Sequence, residues 1–175
     1  MMIGSRAEST LEVRPTCDDD IPVLQPLIQR AYRGDDARAG WTHEADLLDG
    51  ERIGVAELEA MIADPAERLL VGFDGNRMVG CVRVANSGNG LAYLGLLCVD
   101  PLLQTGGYGK QLIAAAEATA RQEFGADRIE MTVIDKRAEL IAFYERRGYA
   151  QVGTRDFPVV VDPPLHMVVL EKPLG

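Results

Sequence analysis

The chain has 175 residues, 47% hydrophobic and 26% charged, with a net charge of −9, enough for one domain with a core that needs no staples. The negative charge argues against nonspecific nucleic-acid binding, and it is ordinary for a soluble surface while also suiting a cationic ligand. Cys17, Cys81 and Cys98 form no C-x-x-C pair, residues 1–10 lack the apolar core of a signal peptide, and the longest apolar run, about nine residues, is short of a membrane span. The expectation is a single domain over 1–175, its core about 11–172, in a reducing cytoplasm, with no membrane or nucleic-acid partner and no metal.

In chain order, residues 1–9 look frayed, and Leu11–Pro15 reads as a short strand. Thr16 and Asp19 read as a capping box, and Asp18–Asp20 suit the start of a helix better than a metal site. That helix is predicted over Ile21–Tyr32, interrupted early by Pro22 and Pro26. Trp41–Glu59 reads as a second helical region punctuated by Gly50 and Gly54. Leu69–Phe73 and Met78–Val84, joined by Asp74-Gly75-Asn76, carry the Asp-Gly signal of a hairpin. Asn86–Gly90 makes the next reversal, into an apolar strand at Leu91–Val99.

A glycine-rich loop follows, Gln104-Thr-Gly-Gly-Tyr-Gly109, and Lys110–Glu123 then shows a helical apolar stripe through Leu112, Ile113, Ala116 and Ala120. Ile129, Met131 and Val133 alternate as a strand, and Arg137–Arg147 reads as a helix stopped by Gly148. Strands near Ala150–Thr154 and Leu165–Lys172 complete the pattern. Antiparallel strands followed by a β-α-β unit argue an α/β fold with a mixed, mostly antiparallel sheet.

Strand, glycine loop and helix N-terminus together make a seat for a phosphate or pyrophosphate. A P-loop needs G-x-x-x-x-G-K-[ST]; Gln104 stands where its first Gly belongs and Gln111 where Ser or Thr should be. A dinucleotide fingerprint needs G-x-G-x-x-G, and Gly107-Tyr-Gly109-Lys-Gln-Leu112 lacks the third glycine, although Glu130 lies about twenty residues on. Three antiparallel strands before the loop are also a poor opening for a doubly wound domain.

Gln104-Thr-Gly-Gly-Tyr-Gly109 matches Q-x-x-G-x-G fully, after Val99-Asp100-Pro101. Downstream, Arg137-Ala-Glu-Leu-Ile-Ala-Phe-Tyr144-Glu-Arg-Arg-Gly148-Tyr149 resembles N-x-x-A-x-x-x-Y-x-x-x-G-[FY]. In these two segments the chain resembles the GCN5-related N-acetyltransferase (GNAT) superfamily, over roughly Leu11 to Lys172. The resemblance implies a GNAT-like sheet with splayed central strands, flanked by helices, and acetyl-CoA as co-substrate. It implies acetyl transfer to a small-molecule or peptide amine by direct attack in a ternary complex; a non-catalytic acyl-CoA-binding module is the alternative. Main-chain groups of Leu97, Cys98 and Val99 would bind the pantetheine arm. Gln104, Thr105, Gly106, Gly107, Tyr108, Gly109 and Lys110 would hold the pyrophosphate, and Tyr144 would protonate the departing thiolate.

Two departures from the family pattern bear on chemistry. Arg137 stands where many members have an Asn contacting the cofactor, so it would reach a phosphate or pair with Glu139 or Asp135. Leu91–Val99 contains no carboxylate, and Thr132 stands where some relatives carry a glutamate, so the general base is open. Trp41, His43 and Glu44 are acceptor-site candidates, since the segment after the first helix lines that site in the family; Trp41-Thr-His-Glu44 equally reads as a helix start. His166 reads as structural, and two distant histidines form no metal motif. Cys98 reads as a buried strand residue rather than a nucleophile. The late strands and the 156–164 loop are available for homodimer pairing.

Overall fold

The computed structural model describes residues 10–39, 53–103, 107–156, 162 and 164–175. Seven strands form one sheet: β1 (Glu12–Pro15), β2 (Glu67–Asp74), β3 (Arg77–Gly88), β4 (Leu91–Val99), β5 (Arg128–Ile134), β6 (Ala150–Asp156) and β7 (His166–Pro173). Their order is β1-β2-β3-β4-β5-β7-β6, antiparallel throughout except β4–β5. Among the described residues four α-helices accompany them: α1 (Ile21–Ala39), α2 (Val55–Ala63), α3 (Tyr108–Phe124) and α4 (Ala138–Glu145).

One core lies between the sheet and α3–α4, where Leu112, Ile113, Ala116 and Ala120 meet Val79, Val82, Leu94, Ile129 and Leu170. The second lies under α1 and α2, where Leu24, Leu27, Ile28 and Leu58 pack on Leu69, Val71, Cys81 and Cys98. Apolar side chains on both faces explain the nearly unbroken burial of β3 from Met78 to Val82. Cys98 is buried, as its place in an apolar strand suggests.

Several local features differ from the sequence reading by a residue or more. The first capping interaction is one position later, with the Cys17 N–H donating to Asp20 Oδ2 at 2.8 Å. Asp20 is also held by both terminal nitrogens of Arg14 at 2.8 Å. Helix α1 continues to Ala39 with Pro26 inside it. The second reversal is confined to Asn89 and Gly90, both left-handed (φ 56° and 80°), so β3 runs on to Gly88. Helix α2 begins at Val55 and passes beyond Glu59. The Trp41 half of that predicted region lies outside the described residues.

Candidate active site at the strand splay

Strands β4 and β5 pair through only three positions, Leu91–Arg128, Ala92–Ile129 and Tyr93–Glu130, and then separate. The cause lies in β4. On β3, Cys81 and Arg83 are two residues apart, while their partners Cys98 and Gly95 are three apart. The extra residue is accommodated by a bulge in which Leu96 takes φ +51°, a left-handed conformation costly for a leucine. A bulge bends its strand and strengthens local twist. Gly80 makes the same region possible from β3, because a side chain there would strike the Cys98 carbonyl and meet Leu112 Cδ1 at 3.0 Å.

Two cavities open at the splay. The first, about 260 Å³, lies between the separated strands and is lined from β4 by Tyr93–Leu97 and from β5 by Met131–Ile134. Tyr32 of α1 and Met167 of β7 close its sides. The second, about 350 Å³, lies between α3 and α4 and includes Val99, Gly107, Gly109, Lys110, Phe143 and Arg147. Leu97, Arg137, Leu140 and Tyr144 line both, so they form the wall where the cavities meet.

The second cavity is built for an anion. Gly107 takes φ +75° as the residue before α3, which only a glycine adopts without cost, and Gly109 follows on the first turn. A Cβ at Gly109 would find its nearest neighbour at 3.8 Å, the Phe143 ring, so the space above the helix start is open. The N-terminus of this 17-residue helix contributes partial positive charge. Lys110, Arg137 and Arg147 line the same cavity, with no carboxylate among its described lining residues. Arg147 lies 4.3 Å from the Phe143 ring centroid, donates Nη1 to the Phe143 carbonyl at 3.3 Å, and has a buried Nε without a hydrogen-bond acceptor among the described residues. In a chain of net charge −9, three cations around one glycine-lined cavity fit a polyphosphate group.

Tyr144 is buried and anchored from behind. Its ring meets Tyr149 edge-on, with centroids 6.0 Å apart, and the Tyr149 N–H donates to the Tyr144 carbonyl at 3.2 Å. The Tyr149 hydroxyl donates to Glu117 Oε2 at 2.9 Å, and Lys172 Nζ holds both Glu117 oxygens at 3.0 and 3.1 Å. Burial first, then the Glu117 charge, pushes the Tyr149 phenol well above its ordinary value.

The structure therefore brings Leu97, Val99, Gly107, Gly109, Lys110, Arg137 and Tyr144 to one place. Cys98 lies on the same strand with its side chain in the second core, and Tyr108 turns its hydroxyl to Asp74 at 2.7 Å. Arg137 Nε lies 3.9 Å from Glu139. Gln104, Thr105, Gly106, Trp41, His43 and Glu44 lie outside the described residues. His166 is exposed at the start of β7.

Sequence reasoning missed Tyr93, Leu140, Phe143 and Arg147. A signal for two of them existed, since residues 137, 140, 144 and 147 follow helical spacing and share a face. Among the described residues no cluster of His, Cys, Asp and Glu could hold a metal, and no helix is long and apolar enough to cross a membrane.

Comparison with known proteins bears on the family and the fold. The chain is 33% identical over 144 residues to a mycothiol acetyltransferase of Salinispora tropica, covering 79% of this chain and 43% of that protein. It thus spans less than half the length of this curated relative. Its fold superposes on a PaiA N-acetyltransferase of Thermoplasma acidophilum solved with coenzyme A (TM-score 0.76, 17% identity, 94% of this chain and 99% of that one). A chimeric spermidine N-acetyltransferase of Vibrio cholerae gives a TM-score of 0.73 at 17% identity over 94% of this chain and 95% of that one. The profile described as the acetyltransferase (GNAT) family matches residues 32–149, more than half of the sequence, and the chain belongs to that family.

Proposed function

We propose that the chain moves an acetyl group from acetyl-CoA to an acceptor amine by direct attack in a ternary complex. The observation that carries this reading is the pair of cavities joined at Tyr144, one cationic and glycine-lined, the other between the splayed strands. Gly107, Gly109, Lys110 and Arg147 hold the pyrophosphate in this reading, together with Gln104, Thr105 and Gly106. Backbone groups of Leu97–Val99, on the stretch of β4 past its pairing with β5, receive the pantetheine arm in this reading as a partial added strand.

An amide near Leu97 or Cys98 polarises the thioester carbonyl. The amine nitrogen then attacks the carbonyl carbon, and the C–S bond breaks. The Tyr144 hydroxyl gives its proton to the leaving sulfur and is reprotonated from solvent, while the amine proton leaves through water.

The test is thiol release from acetyl-CoA across a panel of amines. Tyr144→Phe should lower kcat by roughly 10²-fold or more while the melting-temperature rise given by acetyl-CoA persists. An unchanged kcat would remove Tyr144 from the acid role. A melting-temperature rise with no thiol release from any amine would identify a binding module instead.

A further inference from the structure

Behind the wall where the two cavities meet stands a polar cluster that lines neither of them. Resting on the proposed role of Tyr144 as proton donor, we infer that Tyr149, held by Glu117 and Lys172, is a positioning residue for the transfer. It fixes the Tyr144 phenol for donation to the departing sulfur, while itself meeting neither substrate nor cofactor and passing no proton.

Tyr144 stands in the last turn of α4, a helix of eight residues, too short to hold its shape without packing. Its ring meets two others edge-on, Phe143 with centroids 5.4 Å apart and Tyr149 with centroids 6.0 Å apart. The chain then folds back on it, with the Arg147 and Tyr149 N–H groups donating to the Tyr144 carbonyl at 2.9 and 3.2 Å. Gly148 makes that reversal at φ +99°, and Lys172 Cε lies 3.2 Å from where a Cβ on it would stand. Tyr149 is therefore joined to Tyr144 through both ring and main chain.

Two other elements pin Tyr149. Its hydroxyl donates to Glu117 on α3 at 2.9 Å, and Lys172 Nζ, from β7, holds both Glu117 oxygens and lies 5.7 Å from the Tyr149 ring centroid. Glu117 is 8% exposed and Tyr149 3%. Apolar side chains of similar volume often stabilise such a site as well as a buried ion pair does. They would hold the ring by contact alone, whereas directional bonds to the hydroxyl fix where it lies. A misplacement of about 1 Å can cost about 10²-fold in rate, so placement at this level bears on turnover. Tyr149, Glu117 and Lys172 are absent from the described linings of both cavities, so their influence on the reaction runs through Tyr144.

The test measures kcat, acetyl-CoA KM and melting temperature for Tyr149→Phe, Glu117→Gln and Tyr149→Leu, each alone and combined with Tyr144→Phe. Alone, the two near-isosteric variants should lower kcat about three- to tenfold, the worth of one hydrogen bond. Tyr149→Leu, which also removes the ring contact, should lower it by about tenfold to 10²-fold. The acetyl-CoA KM should stay within about twofold in all three. In the Tyr144→Phe background the same changes should leave kcat within about twofold, because the group they position has already lost its proton. Melting temperatures should fall in both backgrounds, which separates loss of stability from loss of positioning.

Equal kcat losses in the two backgrounds would show a merely structural role and overturn the inference. So would an unchanged kcat in Tyr149→Leu. Either result, with Tyr144→Phe itself defective, sinks the positioning role and leaves the acid role standing. A Tyr144→Phe variant of full kcat removes the acid role, and the positioning role with it.

Discussion

Replacing Lys172 by Met isolates the buried charge behind the candidate catalytic tyrosine. Lys172 Nζ lies 3.0 Å from Glu117, whose side chain is 11% exposed against 27% for the lysine. Removing one partner of a fully buried ion pair costs about 3–5 kcal/mol, because the other charge is left uncompensated. Here the Tyr149 hydroxyl still serves Glu117 and the lysine is partly solvated, which brings the expected cost to about 2 kcal/mol. For a chain of this size that lowers the melting temperature by about 4–8 °C. The double variant Glu117→Leu/Lys172→Met removes both charges and should recover much of the loss, since an apolar pair of similar volume is often neutral against a buried ion pair. Urea and thermal unfolding at pH 7 measure both. A double variant that melts below Lys172→Met alone refutes the reasoning, because the pair would then be stabilising in its own right.

Two further outcomes follow from the same region and from the sheet. The Tyr149 phenol ionises in the unfolded chain near pH 10 but only well above that in the fold; its contribution is therefore complete below about pH 10 and lost as pH rises further. The urea midpoint between pH 8 and 11 should fall at the alkaline end, and Tyr149→Phe should flatten that fall; an identical limb in the variant assigns it elsewhere. Gly80→Ala drives a methyl into the β4 backbone and should cost about 3 kcal/mol, whereas Gly153→Ala, with nothing within 4 Å of the added carbon, should move the melting temperature by no more than about 2 °C. Equal shifts for the two would show that β3 and β4 are not held at close approach.

What was legible in the sequence was what the chain encodes over a few residues. The Gly107–Gly109 end of the glycine loop, the Asp74–Gly75 hairpin and the apolar stripe of α3 depend on local backbone freedom or helical spacing, and each stands near its predicted place. The Tyr93–Thr132 contact joins residues 39 apart, and Glu117–Lys172 joins residues 55 apart. Neither leaves a local trace. Glu117 sits inside an apolar helix face and reads as a solvated acid until its partners are seen. The Leu96 bulge is hidden for a different reason, because a leucine carries no signal for left-handed φ; tertiary pairing with β3 imposes it.

The three-pair junction of β4 and β5 makes the sheet two plates sharing a short seam. From Leu94 to Val99 the part of β4 paired with β3 and not with β5 runs about 20 Å at strand rise, so a rotation of about 5° at the seam carries its far end about 1.7 Å. The aperture of both cavities is therefore set at the seam. Gly90 is the pin: its carbonyl accepts from the Asp127 and Arg128 N–H groups at 2.8 and 3.1 Å, and Arg128 reaches back to the Asn89 carbonyl. A Cβ on Gly90 would press within 3.0 Å of the Asp127 carboxylate. A variant at this tight corner is expected to change the angle between the plates, and with it the shape of both cavities at once.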